Sequence, residues 1–199
     1  MMDDRHLREE KSSGESILEG NFLNIFRDTV RLPDGNSAIR EYVVHPGAVM
    51  IIPLIEYQPQ KYKIILERQF RYPVGRVMIE FPAGKLDLDE SPFHCAQREL
   101  LEETGYVASE WAFATTLHPV ISYSTEVIHI WFARGLVQGE RKLDTGEFLD
   151  VFSATSIDLI DWCHSGKVTD GKTLTGVLWL QNVLNGSWKL DWQDVKVAS

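Results

Sequence analysis

The stretch GKLDLDESPFHCAQRELLEETGY, Gly84 to Tyr106, carries Asp87, Asp89, Glu90, Glu99, Glu102 and Glu103 against only two bases, Lys85 and Arg98. Its ends are marked for a helix. Ser91 is a candidate N-cap, Pro92 suits the first helical position, and Gly105 suits the left-handed position beyond the end. At about 100° per residue, Glu99, Glu102 and Glu103 fall within an arc of about 100°, and Phe93, Ala96 and Leu100 occupy the neighbouring arc, which would pack on a sheet. Acids at i, i+3 and i+4 destabilise an isolated helix, and its dipole disfavours negative charge in the last turns. Two local rules broken together point to a functional site. Carboxylates without histidine or cysteine suit Mg²⁺ or Mn²⁺. The alternative is a solvated acidic face with Arg98 paired to Glu102, and spacing alone leaves both readings open.

The chain around this stretch sets the bounds. Its 199 residues suffice for one substantial domain with a small appendage. A net charge of −9 argues against broad binding to nucleic-acid phosphates or to anionic lipid. The opening MMDDRHLREEKSSGES has no apolar core, so it does not read as a signal peptide; we expect a disordered tail over residues 1–17. The apolar run GAVMIIPLI is too short to span a bilayer. Cys95 and Cys163 form no disulfide framework or zinc pattern, which suggests a reducing cytoplasm. The histidines show no ligand spacing.

Strand-like runs precede the helix: NFLNIFRDTVRLPDG with its Pro-Asp-Gly turn, AIREYVVH, AVMIIPLIEY and YKIILERQF. More follow it, EWAFATTLH, EVIHIWFARGL and EFLDVFSAT, and then two helical segments, SIDLIDWCHSG and KTLTGVLWLQNVLNG. This order predicts an α+β fold, a mixed sheet with helices packed on it. HPG at 45–47 is a plausible seam, with an N-terminal β region over 18–46 and the main domain over 47–199. The residues from Ser187 give no clear signal.

Read whole, the opening stretch runs Gly84, five residues, Glu90, seven residues, Arg98-Glu99-Leu100, one residue, Glu102-Glu103, one residue, Gly105-Tyr106. This resembles the signature of the Nudix hydrolases at every fixed position. The resemblance implies an α/β/α sandwich that hydrolyses a nucleoside diphosphate linked to another group, using Mg²⁺ or Mn²⁺. By position, Glu99, Glu102 and Glu103 match metal-binding acids, and Ala83 a backbone carbonyl ligand. Arg98 matches an arginine that orients these glutamates, and Glu90 a support of the loop–helix turn.

Upstream, LERQFRYPVGRVMIEFPAGKLD and LPDGNSAIREYVVHPGAV resemble the ADP-ribose pyrophosphatase branch of that family. The branch implies a homodimer whose N-terminal β domain, here 18–46, helps form the other subunit's active site. Arg71 and Arg40 match arginines that contact substrate. Glu126, in HPVISYSTEVIHIWFARGL, matches a glutamate that can act as general base; in other members a box glutamate, here Glu102, has that role. Members acting on ADP-ribose carry Pro-Gly where this chain has Ile121-Ser122. The resemblance therefore implies an ADP-ribose or ADP-sugar pyrophosphatase. Another nucleotide sugar such as GDP-mannose, or a non-catalytic nucleotide-sensing domain, stand as alternatives.

Overall fold

In the computed structural model residues 3–196 are described. They fall into two units: the chain before Ala48 together with His118–Val127, and Ala48–Leu117 with the chain from Ile128 onward.

The first unit is an antiparallel sheet of β1 (Glu10–Glu19), β2 (Asn24–Arg31) and β3 (Ser37–Val44), in that order. The turn between β2 and β3 is the expected Pro33-Asp34-Gly35. β1 corrects our expectation of a disordered tail over residues 1–17 for its described part, residues 1 and 2 lying outside the described residues. Arg5–Leu7 is a 3₁₀ turn, and β1 registers on β2 from Glu10 opposite Arg31 to Glu19 opposite Asn24. The strand hides from pattern reading because all of it is exposed, so it has no apolar alternation. Backbone pairing and ions hold it: Lys11 Nζ lies 2.8 Å from the buried Asp28, Arg31 pairs with Glu10, and Arg27 with Glu15. Asp28 also accepts the Tyr42 hydroxyl at 2.9 Å. The loop 118–127 joins this unit through β3. Val43 N–H donates to the Tyr123 carbonyl at 2.9 Å, and Thr125 N–H to the Val43 carbonyl at 3.0 Å.

The second unit is built on β4 (Ala48–Gln58), whose apolar run suits a strand covered on both faces. After it come β5 (Lys61–Arg71), β6 (Arg76–Glu80), β7 (Ala83–Lys85) and α1 (Pro92–Thr104). β8 (Tyr106–Leu117), β9 (Ile128–Gln138), β10 (Leu149–Thr155), α2 (Ser156–His164), α3 (Gly171–Leu184) and the short β11 (Gln193–Asp194) complete it. The sheet has eight strands, ordered β10-β5-β4-β9-β8-β11, with β6 also on β5 and β7 on β4. β4 and β9 run parallel and the other pairs antiparallel, so the sheet is mixed as expected.

Alternation along β4 sorts the core. Val49 and Ile51 pack with Cys95, Ala96 and Leu100 of α1. Met50, Ile52 and Leu54 pack with Leu159 of α2 and with Val177 and Leu180 of α3. Helices thus cover both faces, the α/β/α arrangement. Pro53 is tolerated in this central strand because its missing N–H falls where β4 changes partner. β7 pairs only with Ala48 to Met50, and β5 from Leu54 onward. No helix among the described residues is long and apolar enough to cross a membrane.

Leu100 has no exposed surface and sits on α1 between sheet and acids. Leu100→Ala is expected to lower unfolding free energy by about 2–5 kcal/mol in urea denaturation.

Candidate active site

α1 begins and ends where the sequence marks it. Ser91 Oγ accepts the His94 N–H at 3.3 Å, Pro92 opens the helix, and Gly105 closes it at φ 75°, a conformation that favours glycine. With Ala96 and Leu100 anchored on β4, the acids emerge along the rim of the packed face. Glu103 is only 2% exposed, and its Oε2 accepts the Ala83 N–H at 2.9 Å. Ala83 is itself fixed by β7, opposite Met50. This hydrogen bond helps to tie the helix to the strand. Next to it, a Cβ on Gly84 would lie 1.9 Å from Glu99 Oε1, so only glycine lets that carboxylate rest against β7.

Arg98 gathers the remaining acids. Its Nε and Nη2 fork onto Glu90 at 2.9 and 2.8 Å, and Nη1 donates to Glu99 at 2.8 Å and Glu102 at 3.0 Å. Nη2 also reaches the Lys85 carbonyl at 3.2 Å. Arg98 holds the Glu90 carboxyl down to about 2. Glu99 goes the other way: burial pushes it up to about 7 even against Arg98, with Glu102 and Glu147 adding repulsion. Burial raises Glu103 well above the carboxylate range, helped by the charges of Glu67, Glu99 and Glu147. Cys95 is a buried small residue whose thiol donates to the Lys85 carbonyl at 3.3 Å, and burial raises its proton affinity.

Sequence reasoning missed Glu67. It lies on β5 opposite Glu80 of β6, is 3% exposed, and its Oε1 meets no hydrogen-bond donor. Burial, with Glu147 and Glu80 nearby, pushes it up to about 8. The available signal was an acid set inside the apolar strand YKIILERQF. Buried acids set beside other acids mark a candidate functional site. Among the described residues no three acid, histidine or cysteine side chains converge into a closed cage. Mg²⁺ needs none, because it retains waters and takes one or two carboxylates together with substrate phosphates. The all-oxygen donors Glu99, Glu102, Glu103 and the Ala83 carbonyl fit such an ion.

Residues 44–173 match the NUDIX domain model. The chain belongs to the Nudix family. Residues 9–43 match the model of the nucleoside diphosphate sugar hydrolase N-terminal domain, which also takes in the strand β1. The chain is 35% identical to the ADP-ribose pyrophosphatase of Bacillus subtilis (strain 168), over 89% of this chain and 95% of that protein. It is 36% identical to the methanol dehydrogenase activator of Bacillus methanolicus, over 88% and 94%. The crystal structure of an ADP compounds hydrolase shares the fold at a TM-score of 0.80 and 21% identity, over 91% of this chain and 97% of that one.

In this Nudix protein the other expected site residues fall into both units. Arg71 forks onto the buried Glu80 through Nε at 2.7 Å and Nη2 at 2.9 Å, in the larger unit. Arg40 belongs to the N-terminal unit, where it pairs with Glu9 through Nε at 2.9 Å and Nη2 at 2.5 Å. Glu126 is in that same unit; its N–H donates to Ser124 Oγ at 3.1 Å and its carboxylate lies 4.0 Å from His45 Nε2.

The raised carboxyls give a pH signature. Between the ordinary carboxylate value of 4.5 and the values near 7 and 8 for Glu99 and Glu67, the folded state binds more protons than the unfolded chain. Stability must then fall as pH rises through that window. Metal-free protein is expected to melt at a lower temperature near pH 8 than near about pH 5. Glu67→Gln should flatten that slope, and added Mg²⁺ should recover stability at the alkaline end; calorimetric melting curves check all three.

Proposed function

We propose that this protein hydrolyses the diphosphate of ADP-ribose or a related ADP-sugar with Mg²⁺ or Mn²⁺, giving AMP and a sugar phosphate. The observation that carries the reading is the pair of buried carboxylates, Glu99 and Glu103, set against Gly84 and Ala83. Likeness to a relative named for ADP-ribose supports the substrate class.

Glu99, Glu102, Glu103 and the Ala83 carbonyl would hold the cation. When bound, it would offset charge on the diphosphate oxygens and lower the pKa of a water. Arg98 keeps Glu99 and Glu102 in place through Nη1. Arg71 and Arg40 bind phosphate oxygens, a task suited to their planar forks of donors. A carboxylate, Glu126 or Glu102, accepts a proton from the attacking water. The water oxygen bonds to one phosphorus, and the bond from that phosphorus to the bridging oxygen breaks.

We also infer a homodimer in the cytoplasm. The N-terminal sheet exposes Ile17, Leu18 and Ile39, and β1 is an edge strand open along its length. Both cysteines are unpaired, as a reducing compartment favours.

Ile121-Ser122, in place of Pro-Gly, favours a second reading in which another nucleotide sugar such as GDP-mannose is preferred. Incubation with ADP-ribose, ADP-glucose, GDP-mannose and NADH, with and without Mg²⁺, separates the readings. The expected result is Mg²⁺-dependent AMP release from ADP-ribose above the others. Preference for GDP-mannose would move the specificity, and silence on all four would leave a nucleotide-binding domain without catalysis. Substituting the base lowers kcat by about 10²–10⁴-fold. Glu126→Gln decides between Glu126 and Glu102, because Glu102 also holds the cation: a loss of rate with Mn²⁺ binding retained assigns the base to Glu126, and a rate near wild type leaves that role to Glu102.

A further inference from the structure

Glu80 is held by two cations, although it is a single buried carboxylate. Its side chain is 4% exposed, Arg71 forks onto both oxygens, and Lys172 Nζ reaches the same Oε2. Lys172 is the second residue of α3, where the helix dipole disfavours a positive charge. Asp170, the N-cap of α3, offsets this in part at 2.9 Å from Nζ, but it also accepts the Thr173 N–H at 3.0 Å and hydroxyl at 2.6 Å. This lysine, 14% exposed and placed against a local rule, is shared between Glu80 and Asp170.

The surroundings explain why Glu80 needs two cations. Glu80 stands opposite Glu67, and Arg71 also feels the charges of Glu103 and Asp170. Were Arg71 its only cation, turning Arg71 away would leave a bare buried carboxylate beside other acids, which is strongly unfavourable. Yet Arg71 is 41% exposed, and the fork onto Glu80 engages Nε and Nη2 and leaves Nη1 out of it.

We propose that Lys172 is a positioning residue for Arg71, keeping a cation on Glu80 when Arg71 turns its guanidinium to the substrate's diphosphate. The inference rests on Arg71 binding that diphosphate in the proposed reaction. Without Lys172, Glu80 holds Arg71 with its full charge, and substrate must compete for it. The loss appears in binding of ground state and transition state alike, hence in KM rather than kcat.

Steady-state kinetics of the full chain with ADP-ribose and Mg²⁺ provide the test. Lys172→Met is expected to raise KM by roughly 5- to 50-fold with kcat nearly unchanged, the range of coupling between charged neighbours. Lys172→Arg should restore KM. In an Arg71→Ala background Lys172→Met should add nothing further. The pair Glu80→Gln with Lys172→Met lacks both buried charges, guards against misfolding, and should match Glu80→Gln alone. An unchanged KM in Lys172→Met, a fall in kcat instead, or a full KM rise in the Arg71→Ala background overturns the proposal. Hydrolysis by wild type with no KM change in Arg71→Ala overturns it while leaving the hydrolase reading intact. No hydrolysis of ADP-ribose by wild type overturns both.

Discussion

Too many carboxylates lie out of water for the cations that face them. Glu67, Glu80 and Glu103 are nearly inaccessible, and Glu99 retains little exposure. Arg71 and Lys172 satisfy Glu80, and Arg98 is divided among Glu90, Glu99 and Glu102. Glu103 has one backbone N–H, and one oxygen of Glu67 has no donor. Burying charges that are not fully paired costs several kcal/mol each. Burial raises the proton affinity of Glu67, Glu99 and Glu103, and a divalent cation would offset the same charge.

The fold makes this arrangement rigid. β4 sorts its side chains to two helical layers, so α1 can settle only with Ala96 and Leu100 beneath it. That fixes the direction in which Glu99 and Glu103 point. β7, paired with the start of β4, brings Ala83 and Gly84 up to them. Gly84 is the steric condition for Glu99, and the Ala83 N–H is the polar condition for Glu103. The same sheet places Glu67 and Glu80 opposite each other on β5 and β6, and α3 supplies Lys172 from its first turn.

Local chemistry was legible in the sequence where it is local in space. Ser91, Pro92 and Gly105 marked the helix, and the spacing of Glu99, Glu102 and Glu103 marked its acidic rim before any fold was known. The run AVMIIPLIEY was legible as a strand, whereas its burial on both faces shows only in the packing of β4. What stayed hidden depends on distant pairing. β1 has no alternation to read, because its stability comes from β2 and from ion pairs. Glu67 and Glu80 become neighbours only through strand register, and Lys172 joins them across 92 positions of sequence. Nothing local in KTLTGVLWLQNVLNG distinguishes a lysine that serves a buried acid from one that faces solvent.

Burial favours a proton on Glu99 and Glu103, and a divalent cation bound there would have to displace it. Calorimetric titration of Mg²⁺ at neutral pH, in buffers of different ionisation enthalpy, measures that displacement directly. The account predicts proton release on binding, reduced when Glu99 and Glu103 are replaced by glutamine. Binding without proton release, or with an affinity indifferent to both substitutions, would contradict it.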